Sequence, residues 1–345
     1  MPAEHVAVIC PDRNVRLWST RVAEAAMGGG KSAILQLAAA WARAGHRVTI
    51  ASAAAREGTS EGVTVCGLEK APPSCDVAIY VTGHEGHFED PRMPEVDAAR
   101  TIFWLNGPGR PEPPRAAIDW YVAPARFVAR RAADEWGFPA ERVVVIPGES
   151  VRRRRALSGR REPAAGVYAS HPFKGLREAL DVIGRVRADF PEVRLDVYGS
   201  ERLWGDEKDA GGLADGPAFA RGIGELPQAE IEERMGGYGF LLYLTEWVDA
   251  FSSSTAEALA GGVVVIATAH GSNAELIRHG WNGLLVRSRD GKPDLDQAES
   301  LLRRYLERPE AFDALRVNAS ACVPTWDEQA ARWRELWRAT PRSTR

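Results

Sequence analysis

One stretch in the last third of the chain, residues 240–268, constrains the fold more than any other part of the sequence. It reads FLLYLTEWVDAFSSSTAEALAGGVVVIAT and contains two apolar runs, Phe240 to Leu244 and Val263 to Ala267. A polar loop and a short helical segment that ends at Gly261-Gly262 lie between the two runs. Short apolar runs bounded by turn residues are typical of buried strands. The pattern predicts a strand, a loop, a helix and a second strand of one parallel sheet.

The loop of this unit carries the polar groups of a candidate ligand site. It lies at the carboxyl end of its strand, where open α/β proteins bind ligands. Ser252, Ser253 and Ser254 open the helix, and the first amide groups of a helix are free to hold phosphate oxygens. Asp249 and Glu257 stand in the loop and in the helix, respectively. The pattern fits a sugar nucleotide, and it equally fits an ordinary serine-capped helix that carries a glutamate.

Composition limits the class of protein. A length of 345 residues favours two domains, and a net charge of −3 gives no reason to expect nucleic acid as a partner. Cys10, Cys66, Cys75 and Cys322 have no CxxC spacing, which argues against a disulfide framework and a structural zinc site and favours a reducing cytoplasm. We expect neither a signal peptide nor a membrane helix, because no apolar run is long enough.

Strands alternate with helices on both sides of a change in composition after residue 148. The segment 151–162 holds six arginines without apolar periodicity and is interpreted as a linker. We therefore expect domains at 1–150 and 163–325, and a final helix in 326–345 that packs back on the first domain. Each domain is predicted to be a doubly wound, Rossmann-like α/β sheet, and the two to face each other across a cleft. Strands are predicted at His5 to Cys10, Val48 to Ile50, Val63 to Cys66, Asp76 to Val81, Thr101 to Leu105, Asp119 to Ala123, Gly166 to Ala169, Arg194 to Tyr198 and Gly283 to Val286, and helices include Gln228 to Met235 and Ala274 to His279.

Two further motifs in the first half invite functional interpretations. GGGKS is not a P-loop, because Ala25 stands where that motif requires glycine, yet Gly28 to Gly30 still let a ligand approach backbone amides at a helix start. A plain tight turn is the other interpretation. His84 and His87 follow a predicted strand, but no third ligand group with zincin spacing accompanies them, so no metal site is expected.

Lys174 follows a strand of the second half, in the turn HPFKG. A lysine at this position can neutralise a diphosphate as a point charge. A solvated surface lysine is the alternative.

The order of these segments resembles the retaining GT-B glycosyltransferases of family 4, the group 1 type. The likeness rests on LAAAWARAGHRVTI after the glycines, ERVVVIPGESV at the end of the first domain, FKGLREALDVIGRVRADFPEVRLDVYGS, and the segment from GIGELPQAEIEERM to GWNGLLV. It covers nearly the whole chain. The resemblance implies the GT-B fold and a nucleotide-sugar donor site in the second domain.

The resemblance assigns roles to residues around the central stretch. Glu257 matches the second glutamate of the E-x7-E pattern, which binds the donor ribose in that family. Asp249 occupies the place of the first glutamate, which contacts the transferred sugar. Ser252, Ser253 and Ser254 match the helix start whose amides face the diphosphate.

The resemblance also assigns roles outside that stretch. Lys174 matches the phosphate-binding lysine, and Leu226 falls in the loop against the nucleobase. Gly29 and Gly30 match the first-domain loop near donor phosphate and acceptor, and His84 matches a histidine that contacts the donor sugar. Asp249, Lys174 and His84 are thus the expected catalytic residues.

Two departures from the family pattern stand out. The first acid is Asp249, one methylene shorter than glutamate. Ala169 stands where the family has an arginine five residues before the lysine, and the adjacent Ser170 joins the expected donor-binding residues. Arg13, Arg16 or the linker arginines would then have to compensate, or donor binding and activity would be weaker.

The resemblance implies transfer of a sugar from a nucleoside diphosphate, such as UDP, with retention of configuration, and with neither a metal nor another cofactor. The compact loops favour a small molecule or secondary metabolite as acceptor. Three alternatives stay open: a GT-B epimerase of sugar nucleotides, a non-catalytic sugar-nucleotide-binding protein, and an enzyme that meets a lipid acceptor through Arg152 to Arg161 or the segment ARFVARRAADEW.

Overall fold

The chain divides into two compact units in the computed structural model. Unit 1 comprises residues 1–22, 29–152 and 324–345, and unit 2 comprises residues 23–28 and 153–323. The residues that the structure describes are 3–11, 28–53, 57–82, 93–148, 150–154, 157, 161–199, 213 and 216–340.

Unit 1 is built on an eight-stranded sheet whose order is β3-β4-β2-β1-β5-β6-β7-β8. Apart from β3, which runs antiparallel to β4, the neighbouring strands are parallel. The chain thus winds outward from β1 in both directions, as predicted for a doubly wound sheet. Its strands are β1 (His5–Cys10), β2 (Arg47–Ser52), β3 (Gly58–Ser60), β4 (Val63–Gly67), β5 (Ser74–Val81), β6 (Asp97–Trp104), β7 (Trp120–Ala123) and β8 (Val143–Val145), and its first helices are α1 (Gly29–Arg43) and α2 (Arg126–Asp134).

Helix α1 begins at the predicted glycines and is buried from Ser32 to Trp41. The alanine-rich sequence keeps the helix slim, so that it lies close to the sheet. Gly45, at φ +90°, ends the segment before β2, as a residue without a Cβ can do in the left-handed region.

Unit 2 holds a six-stranded parallel sheet of order β11-β10-β9-β12-β13-β14. This order reverses between β9 and β12, which is the switch point where open α/β sheets bind ligands. The strands are β9 (Glu162–Ala169), β10 (Arg194–Tyr198), β11 (Ala220–Gly224), β12 (Tyr238–Tyr243), β13 (Val264–Thr268) and β14 (Leu284–Val286), with a hairpin of β15 (Ser288–Arg289) and β16 (Lys292–Pro293); the helices are α3 (Leu176–Val186), α4 (Gln228–Met235), α5 (Ser253–Ala260), α6 (Asn273–Leu276), α7 (Leu295–Glu307) and α8 (Asp313–Cys322).

Some element predictions were wrong in detail. The two edge strands β3 and β11 were not predicted, since GTS and ARGIG are short, largely exposed and glycine-containing. Helix α6 stops at Leu276 rather than His279, because Ile277 already has extended backbone angles. The two strands of the central stretch begin at Tyr238 and Val264.

The final helix, α9 (Trp326–Arg338), belongs to unit 1. The Trp41 ring of α1 meets the rings of Trp333 and Trp337 edge-on, with centroids 5.8 and 5.5 Å apart. Such buried aromatic pairs contribute about 1 kcal/mol each beyond the apolar area that they cover. Of the helices in the described part of the chain, none has the length and apolar character to cross a bilayer.

Candidate functional site

The loops that follow β9 and β12 are in close backbone contact at the switch point of unit 2. Gly175 has φ +100°, and a Cβ at this position would lie 2.2 Å from the carbonyl oxygen of Leu244. Only glycine fits both the backbone angle and the close approach. The contact fixes Lys174, in the 3-10 turn before Gly175, beside the loop that carries Asp249.

Lys174 and Asp249 form a buried ion pair. The Nζ atom of Lys174 lies 2.6 Å from Oδ1 of Asp249, and the two side chains are 14% and 6% exposed. The hydroxyl of Tyr243 donates to the second carboxylate oxygen, Oδ2, at 2.5 Å. Both oxygens of Asp249 therefore have a partner, as a buried carboxylate requires.

Tyr243 connects this pair to Ser170. The Ser170 Oγ atom lies 3.3 Å from the Tyr243 hydroxyl, and both residues are buried. Burial and the charge of Asp249 raise the pKa of Tyr243 well above its usual value, so the phenol keeps its proton and remains a donor. Ser170, which was predicted to bind the donor, thus contacts Tyr243, and Tyr243 in turn donates to the carboxylate of Asp249.

Backbone contacts hold the Asp249 loop from the other side. The amide of Ser272 donates to the carbonyl of Asp249 at 2.9 Å. Gly271, at φ +54°, packs so tightly that a Cβ would lie 2.8 Å from that same carbonyl. The carboxylate is consequently presented by a rigid loop.

The start of α5 leaves its first amides without a serine cap. The Ser252 hydroxyl does not cap the helix but donates to Thr255 Oγ1 at 2.9 Å, and Thr255 in turn donates to Oδ1 of Asn273 at 3.0 Å. All three side chains are buried. The amides of Ser253 and Ser254 keep the geometry that the N-terminus of a helix offers to an anion.

Glu257 lies further along α5 and is half-buried. Burial raises its pKa to about 8, and the amide of Gln228, which donates to Oε1 at 2.5 Å, opposes that rise in part. Gln228 begins α4, two residues after Leu226. The structure therefore brings the predicted nucleobase loop to the predicted ribose-binding acid.

Other predicted site residues lie apart from this cluster, or lie outside the residues that the structure describes. Gly29 and Gly30 begin α1 in unit 1. His84, Arg13 and Arg16 lie outside the described residues.

Two arginines of the predicted linker, Arg154 and Arg161, contact other parts of unit 2. Arg154 donates to the carbonyl of Val323 at 3.2 Å, and Arg161 pairs with Asp313 at 3.6 Å. Within the described ranges, no group of three His, Cys, Asp or Glu side chains could hold a metal ion.

Sequence reasoning missed two residues of this cluster, Tyr243 and Gln228. Tyr243 is the one hydroxyl-bearing residue of the run FLLYL, and its place at the end of a central strand was a usable signal. Gln228 carried no such signal, because its partner Glu257 belongs to another helix.

Residues 164–304 match the family model described as Glycosyl transferases group 1. An exopolysaccharide phosphotransferase of Streptomyces coelicolor is 28% identical over 247 residues, which cover 64% of this chain and 24% of that protein. The chain thus spans about a quarter of the length of that curated relative.

Solved structures of similar fold cover nearly the whole chain. AviGT4, a glycosyltransferase involved in avilamycin A biosynthesis, aligns with a TM-score of 0.66 at 20% identity over 97% of both chains. Sucrose-phosphate synthase from Thermosynechococcus elongatus gives 0.70 at 14% identity over 97% of this chain and 98% of that one. Anabaena HepE, solved with UDP-glucose, gives 0.66 at 14% over 96% and 100%. The chain has the GT-B fold, and its segment 164–304, which contains Lys174, Asp249 and Glu257, is the part that matches the group 1 glycosyl transferases.

Proposed function

We propose that the protein is a retaining glycosyltransferase that moves a sugar from a nucleoside diphosphate sugar to an acceptor. The observation that carries the proposal is the buried ion pair of Lys174 and Asp249 at the switch point. Asp249 lies four residues before α5 begins at Ser253, and the side chain of Ser252 does not cap that helix. A fixed cation and free amides at one sheet edge suit a diphosphate leaving group.

The departing diphosphate carries the charge that develops in the transition state. An ammonium has three donors and Asp249 takes one of them, so we assign the others to diphosphate oxygens. Because the cation is held before the substrate arrives, it stabilises the leaving group without reorganisation. In this proposal Lys174 and the amides of α5 replace a metal ion, and no further cofactor takes part.

Asp249 acts in this scheme as a positioning residue for Lys174. Its two oxygens are engaged by Lys174 and Tyr243, and the shorter side chain keeps it close to them. Its contact with the transferred sugar stays a prediction, as does the role of His84.

Glu257 is assigned to the donor ribose and Leu226 to the nucleobase, since Gln228 links their elements. UDP is the first nucleotide to test, because the HepE structure of the same fold holds UDP-glucose. Unit 1 has its own glycine-opened helix start, at Gly29 and Gly30, and we assign these glycines to the donor phosphate and to the acceptor. A secondary metabolite as acceptor is supported by the pathway of AviGT4. None of the four cysteines forms a disulfide, in keeping with a cytoplasmic location.

A thermal-shift panel of UDP, GDP, ADP and dTDP, with their sugars, tests the proposal first. The nucleotide that stabilises the protein most is then supplied as its sugar, and the anomeric configuration of the product is read by NMR. When the sugar of the donor is axial at its anomeric carbon, we expect the product to have the same axial configuration. We also expect the rate to be unchanged by EDTA, because the proposed site uses no metal ion. Inversion, an epimerised donor, or tight nucleotide binding without turnover over an acceptor panel would each refute it.

A further inference from the structure

Two large apolar side chains remain exposed beside the Lys174–Asp249 pair. Phe173 is 59% exposed and Trp247 is 37% exposed. Their rings meet edge-on with centroids 5.3 Å apart, and the Trp247 ring lies 6.0 Å from Nζ of Lys174. The pair, here called the aromatic platform, therefore lies at the rim of the proposed donor site.

The backbone of both platform residues is held by hydrogen bonds although their side chains are exposed. The amide of Trp247 donates to Oγ1 of Thr245 at 2.9 Å, and the amide of Phe173 donates to Nδ1 of His171 at 3.3 Å. The contact of Gly175 with Leu244 then ties the two loops to each other. Rigid aromatic side chains lose little conformational entropy when they bind a partner.

Exposed aromatics on fixed loops contribute little to folding, because their apolar surface stays in water. Contiguous exposed apolar surface next to polar groups marks binding sites. The C–H face of a pyranose is flat and apolar, and it covers an aromatic ring while its hydroxyl groups stay with polar partners. The platform has the chemistry to take such a ring.

We propose that Phe173 and Trp247 form the subsite for a pyranose ring of the acceptor; this inference rests on the glycosyltransferase function proposed above. The donor sugar is bonded to the diphosphate, which holds it near Lys174 and the start of α5. The acceptor enters from solvent, so its ring meets the outward-facing side chains.

Saturation-transfer NMR on the full chain with UDP present tests the proposal. The probes are the methyl pyranosides of glucose, galactose, mannose, rhamnose and N-acetylglucosamine. At least one of them is expected to receive saturation on its ring C–H protons. Trp247→Ala and Phe173→Ala each weaken that binding about tenfold or more, as the loss of a central aromatic contact does.

Trp281→Ala is the matched control. Trp281 is also in unit 2 and 41% exposed. The guanidinium of Arg278 lies over its ring, 5.9 Å from the centroid, and both residues are distant in sequence from the two loops of the platform. The control retains glycoside binding. If no glycoside binds, or if the platform variants bind as the wild type does, the inference is wrong.

Calorimetry with UDP separates this inference from the function on which it rests. The UDP affinity of Phe173→Ala is expected to stay within twofold of wild type. A wild type that binds no nucleotide refutes the glycosyltransferase proposal itself. A platform variant that loses UDP and glycoside binding equally would place the platform in the donor site and overturn the acceptor assignment.

Discussion

The raised pKa of Glu257 makes nucleotide binding depend on pH. Burial places that pKa at about 8, so only about a tenth of the carboxyl groups are ionised at pH 7 and half at pH 8. A carboxylate accepts hydrogen bonds from two ribose hydroxyls, whereas the protonated acid has to give up one acceptor position. We therefore expect the ionised form to bind the nucleotide.

The size of the change in UDP affinity follows from the fraction of Glu257 that is ionised. The apparent dissociation constant equals the intrinsic constant divided by the ionised fraction. The affinity for UDP should thus rise about fivefold from pH 7 to pH 8, and about tenfold in total by pH 9, where the increase levels off. One pKa unit corresponds to about 1.4 kcal/mol of the difference between the two protonation states.

Isothermal titration calorimetry of UDP at pH 7, 8 and 9 measures this dependence. Glu257→Gln is the matched control, because glutamine keeps the size of the side chain and cannot ionise. Its affinity is expected to be lower and to stay flat over the same range. A flat profile in the wild type, or the same slope in Glu257→Gln, would contradict the reasoning.

Three further predictions concern the buried pair and its supports. Lys174→Met leaves the charge of Asp249 buried and unpaired, which should cost roughly 3 kcal/mol of unfolding free energy and several degrees in thermal denaturation. The double variant Lys174→Met with Asp249→Asn should regain most of that loss. If the losses of the two single variants simply add in the double variant, the result would count against the ion pair. Tyr243→Phe removes one hydrogen bond to a charged group, worth about 1.5 to 3 kcal/mol, and should lower kcat more than it changes UDP affinity in steady-state assays, whereas an unaltered kcat would show that Asp249 needs no such support. Gly175→Ala puts a Cβ against the Leu244 carbonyl at φ +100° and should lower the melting temperature more than Gly45→Ala does. At Gly45 the positive φ is also unfavourable for alanine, but the added Cβ would have no atom within 4 Å. Equal losses of melting temperature in the two variants would argue against the close contact.

Much of the fold could be predicted because buried parallel strands have strong local signatures. The runs of β1, β5 and β12 are almost wholly apolar, and glycines mark the turns between strands and helices. Edge strands lack that signature, since exposure lets ARGIG of β11 carry an arginine and two glycines. Pairing with β10 decides its structure, and that contact is not local.

The site could be predicted from the sequence where its residues lie in the loop after a predicted strand, as Lys174 and Asp249 do. It was not predictable where two distant segments meet. No pattern in the sequence indicates that Ser170 meets Tyr243, or that Gln228 reaches Glu257 across α4 and α5. These contacts depend on the packing of whole elements.

The place of α9 has a consequence for how the protein is made. Trp41 leaves the ribosome about 290 residues before its partners Trp333 and Trp337. Domains whose residues are contiguous can fold as they emerge. Unit 2 meets that condition from residue 153 to residue 323, whereas unit 1 has to keep the Trp41 face of α1 uncovered until α9 has been synthesised. We therefore expect unit 2 to become protease-resistant on nascent chains before unit 1, although unit 1 is begun first.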